Sequence, residues 1–142
     1  MTTHMRSGAL TILILAAVLI PAAGAQAEHS VGTPEQIAWV RSAATRFVTA
    51  ELAGNGEGAC AILNAPLRAS ARGRTCAERW DGRLAALLRR PGARAELHRQ
   101  EHAIASAAVV VRGNHATLAL AQPLYAGPNH FLWTEMCWML EG

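Results

Sequence analysis

Apolar side chains return every three or four positions through Ile37, Val40, Ala44, Phe47, Val48 and Leu52, the stripe of a helix with one face on a core. The start is written just upstream: Thr33 is an N-cap residue, Pro34 suits the first helical position, and Gln36 stands where a capping box needs it. Gly54 ends it, since glycine takes the left-handed conformation of a C-terminal cap without strain. Trp39 falls at the edge of the stripe.

Gly54, Gly56 and Gly58 then interrupt the pattern. A phosphate-binding loop needs a strand that delivers glycines to the start of a helix, whose free amides face the anion. Here the glycines follow a helix, and neither the later glycine of the dinucleotide pattern nor a Lys-Ser/Thr pair comes after them. The segment reads as a joint, with a short helix carrying Cys60, Ile62 and Leu63 beyond it. Asn64-Ala65-Pro66 opens a further helical turn to Ala71, broken at Gly73. Thr75 and Glu78 form a second capping box, and the helix behind it aligns Ala77, Trp80, Leu84, Leu87 and Leu88 before Arg90-Pro91-Gly92 ends it.

From Ile104 the composition turns to that of strands. Ile104 to Arg112 is rich in Val and Ala, Arg112 to His115 reads as a tight turn, and Ala116 to Ala121 resumes the strand. After a loop from Pro123 to Asn129, His130 to Leu140 reads as one last strand with aromatics at alternate positions. Helices first and strands after them predict an α+β domain with an antiparallel sheet.

The N-terminal segment changes the compartment. Arg6, an apolar run from Ala9 to Ile20, Pro21 and the small residues through Ala25-Gln26-Ala27 follow the order of a secretory signal. Residues 1–27 are expected to be removed, or else retained as an anchor, which is the membrane contact this chain predicts; 28–142 form one domain, secreted or exposed at the cell envelope. The mature net charge is +2, from twelve arginines against ten carboxylates, too small to mark a nucleic-acid binder. Nine arginines crowd 68–99, but Trp80 is the lone aromatic among them, so they read as a solvated face and no nucleic-acid partner is expected.

Phe47 to Gly56, Val109 to Leu120 and Phe131 to Leu140, in this order of elements, resemble the small exported actinobacterial members of the nuclear transport factor 2-like superfamily, including its SnoaL-like members. The resemblance spans about 33–141 and rests on packing and turn positions. It implies a cone, with the N-terminal helices packed in the concave face of a curved antiparallel sheet. It also implies an apolar pocket in many members, homodimers formed through the sheet, and a disulfide such as one between Cys60 and Cys76. Chemistry ranges from isomerase to no catalysis across such a group, so fold alone assigns none.

An inventory of groups narrows the chemistry. The isomerase set of two Asp and a Tyr cannot be built from Asp81 and Tyr125 alone. A dehydratase-like site needs His and a carboxylate in one cavity, and the weak candidates are Glu135, His102 and His98; Trp133, Glu135 and Cys137 would share one side of a continuous last strand. His98-Arg99-Gln100-Glu101-His102 matches a zinc signature that works only on a helix. As a polar lead-in to a strand, it holds its imidazoles about 13 Å apart, too far to share an ion. No metal or other cofactor is expected.

Export permits disulfides. Closing the loop between Cys60 and Cys76 would contribute about 3 kcal/mol, while pairing of Cys76 with Cys137 and a reactive Cys76 thiolate at a helix start stay open. A leftover Cys137 reads as a buried apolar side chain. Phe47, Trp80, Trp133 and Trp138 either fill an alanine-rich core or line an apolar pocket, and the core reading is preferred. Together these features predict an exported noncatalytic binding or interaction module with a small apolar ligand or a second copy as partner. The alternatives are a pocket enzyme of dehydratase, cyclase or isomerase type using Glu135 or a His, and an anchored cell-envelope subunit.

Overall fold

Thr33 begins the first helix as its neighbours require. In the computed structural model, which describes residues 30–69, 74–124, 129–134 and 137–141, the Thr33 hydroxyl accepts from the Gln36 amide at 3.2 Å. The Gln36 side chain accepts from the Thr33 amide at 2.9 Å. Helix α1 spans Pro34–Ala53 and stops at Gly54, whose φ of 65° is left-handed. Asn55 caps the next helix, α2 (Gly56–Ile62), by accepting from the Gly58 amide. The glycine run is a helix joint, as its order predicts.

Two cross-links hold α2 to α4 (Cys76–Leu88), with the short α3 (Ala65–Ala69) between them. The Gly56 amide donates to Asp81 Oδ1 at 2.8 Å, and a Cβ on Gly56 would collide with the Ala77 carbonyl oxygen and the Asp81 side chain. Cys60 and Cys76 form a disulfide across Cα atoms 6.0 Å apart. Helix α4 opens on its own capping box, in which the Thr75 amide donates to Glu78 at 2.7 Å. That hydrogen bond holds the Glu78 carboxyl below the ordinary carboxylate range.

Helix α5 covers Ala93–Ser106, and strands β1 (Val109–Arg112), β2 (His115–Leu118), β3 (His130–Thr134) and β4 (Cys137–Leu140) follow. They form one antiparallel sheet in the order β1-β2-β3-β4. The register puts Val109 opposite Leu118 and Phe131 opposite both Ala116 and Leu140, so the buried side chains share one face. Helix α1 packs on the sheet through β1, β2 and β4 and meets α2 and α5 on its other sides. Val40, Ala44, Phe47 and Val48 are fully buried between these layers. Each outer edge of the sheet is covered at one residue, β1 by Val31 and β4 by Leu63.

The α+β class and the antiparallel sheet agree with expectation, whereas the cone does not form. The sheet is an open four-stranded meander, neither closed nor strongly curved, and strands of four or five residues are too short to wrap a long helix. Two elements differ as well. Ile104 belongs to α5, because Leu97 and Ile104 extend a buried helical face two turns long. The expected last strand is two strands, with Thr134 opposite Cys137. The export signal, Gly73, Tyr125 and Glu135 lie outside the described residues. Among those described, no helix is long and apolar enough to cross a membrane.

Candidate functional site

Position 51 follows Phe47 by four residues and Val48 by three, which places it on the buried stripe of α1. The residue there is a glutamate, only 5% exposed. It lines a cleft of about 470 Å³ where the end of α1, the second half of α4, the start of α5 and residues 122–124 converge. The cleft is within the range of small-molecule sites.

Burial pushes the Glu51 carboxyl up from its ordinary 4.5 to about 7, and the positive charge of Arg83 pulls the other way. Desolvation outweighs the attraction of that guanidinium, which also lies 5.0 Å over the Trp80 ring. Arg90 adds a second cation to the lining, while the charge of Glu96 is taken up by Arg99. Helix α5 starts at Ala93, itself in the lining, so a positive helix end lies at the same rim. The walls are tied down from behind: Arg94 donates to the Leu52 carbonyl at 3.0 Å, and Gln100 donates to the Pro123 carbonyl at 3.2 Å. Leu87, Leu97 and Leu124 supply apolar surface. The result is a cationic cleft with a protonatable acid at its floor.

The residues singled out in the sequence are placed elsewhere. His98 and His102 lie on α5, so the helix demanded by the zinc signature exists, contrary to the expected strand lead-in. Both imidazoles are exposed; His98 sits 3.4 Å from Glu101, and among the described residues no group of three or more His, Cys, Asp or Glu side chains can hold a metal ion. Neither histidine lines the Glu51 cleft. Cys137 is a free, exposed thiol rather than a buried one, at the first position of β4 opposite Thr134.

The four aromatics split into two groups. Phe47 and Trp80 meet edge to face at 5.3 Å inside the helical core. Trp133 and Trp138 pair across the β3–β4 hairpin at 5.4 Å, with Trp39 of α1 stacked on Trp133 at 5.2 Å. Sequence reasoning passes over Glu51, although its place on the apolar stripe is the signal that marks it.

Compared with known proteins, the chain matches no family model, no curated protein and no solved structure.

Proposed function

We propose that this chain is an exported, noncatalytic binding domain that takes a small organic acid into the cleft over Glu51. One observation carries the reading: a buried carboxyl, held protonated to about neutral pH by its burial, faces an open cleft lined also by Arg83 and Arg90. A ligand carboxylate pairs with Arg90, accepts a hydrogen bond from the protonated Glu51, and lays its apolar part on Leu87, Leu97 and Leu124.

The protonation of Glu51 makes the test directional. A carboxylate cannot sit against an ionised Glu51, so affinity falls about tenfold between pH 6 and pH 8 for a carboxyl that titrates near 7. Isothermal titration with benzoate and butanoate as probes measures this. The Glu51→Gln variant, whose amide donates at every pH, binds with an affinity that no longer depends on pH. Absence of heat for both acids at pH 6, or equal wild-type affinities at the two pH values, contradicts the reading.

A second reading is favoured by the same neutral titration, which suits a carboxyl that both gives and takes a proton in a reaction. In that case Glu51→Gln keeps ligand affinity and loses turnover of the bound acid. Recovery of the acid unchanged after long incubation with the wild type speaks against it.

A further inference from the structure

Trp39 lies twelve residues before Glu51 on α1, about 18 Å along the helix axis. It is 52% exposed, and its ring is stacked on Trp133, 11° from parallel. Trp138 closes the corner behind, and its indole N–H is buried without a hydrogen-bond partner. A large apolar ring left half in water forgoes part of the free energy of burial.

Two hollows of about 190 Å³ each flank this stack, and all three indoles line both. One adds Gln36, Gly113 and Asn114, with no charged residue among those described. The other adds Ser42, Ala43, Arg46 and Cys137 among the described residues. Gln36 uses its side-chain oxygen in the capping box of α1, which leaves its amide hydrogens as donors.

We propose that this corner is a binding site for a neutral saccharide, with a sugar ring lying against the exposed indole face. Each hollow has the liquid volume of about six waters, the scale of one sugar ring. A sugar ring presents a face of C–H groups to an aromatic plane and hydroxyls at its edge, and the corner offers an indole plane bordered by amides and a serine hydroxyl. The alternatives fit less well. A cation meets the guanidinium of Arg46, and a wholly apolar ligand leaves the Gln36 and Asn114 amides desolvated without partners.

Tryptophan fluorescence during titration with cello-, malto- and chito-oligosaccharides tests the proposal. At least one series is expected to shift the emission with saturation, equally at low and at 0.5 M salt. Trp39→Ala is expected to weaken that binding at least tenfold, and Trp39→Phe to retain most of it. Because Trp39 is half exposed, both variants should keep the wild-type circular dichroism and melting temperature to within a few degrees, which separates lost binding from lost fold. No response to any series, or undiminished binding by a folded Trp39→Ala, overturns the proposal. A wild-type dimer in sedimentation that Trp39→Ala dissociates also overturns it, since the corner would then be an interface between copies.

Discussion

The two ends of α1 break its polar pattern in opposite directions. Near its C-terminal end a carboxylate occupies the buried stripe, and near its N-terminal end an indole stands half in water. The first lowers stability through desolvation, and the second forgoes stability through exposure. Both losses occur beside a hollow, and elsewhere on the helix the pattern holds. A residue that costs stability next to open space is a stronger sign of a site than the same residue on a plain surface.

The two ends also depend on different supports. The cleft over Glu51 needs α4, which is held by the disulfide and by Asp81, whereas the tryptophan corner is built from α1, the β1–β2 turn at Gly113 and Asn114, and the β3–β4 hairpin. Replacing Cys60 and Cys76 by alanine is expected to remove about 3 kcal/mol at every pH. In titrations it should weaken acid binding and leave the saccharide response unchanged. Loss of both together would erase the distinction between the two ends.

Glu51→Gln sharpens the comparison through pH. The folded value of about 7 lies above the ordinary 4.5, so the wild type is most stable below about 4.5 and loses stability as pH rises through about 7. At pH 8 the variant should therefore be more stable than wild type by up to about 3 kcal/mol, with the difference fading toward pH 4.5 in urea unfolding. Asp81→Asn, which removes a charge-assisted hydrogen bond to the Gly56 amide, is expected to cost about 1.5 kcal/mol. At the other end of α1, Trp39→Ser should change stability by less than about 1 kcal/mol in the same assay. A larger loss would make Trp39 a packing residue.

Much of the helical half was legible because its boundaries are chemical. Thr33 with Gln36, Thr75 with Glu78, Gly54 and the turn at Gly113 each have one local conformation that satisfies them, and the structure adopts it. The later elements carried weaker marks. Alanines dilute the buried face of α5, so Ile104 resembles the start of the valine run it precedes. No Gly, Pro, Asn or Asp separates Thr134 from Cys137, so the hairpin there looked like one strand. That error hid the tryptophan corner, since Trp133 and Trp138, five residues apart, fall on opposite faces of a continuous strand and on one face of a hairpin. Glu51 was visible as a charge on an apolar stripe, but its solvation and its open cleft come from α4, α5 and residues 122–124, which no local pattern brings together.

The ionisation of Glu51 decides whether the cleft is what its geometry suggests. A pH titration of the Glu51 side-chain carboxyl carbon by NMR, with Glu51→Gln to identify the resonance, should give a midpoint of about 7. A midpoint near 4.5 would mean that the carboxyl is solvated or paired in solution, and would contradict the account.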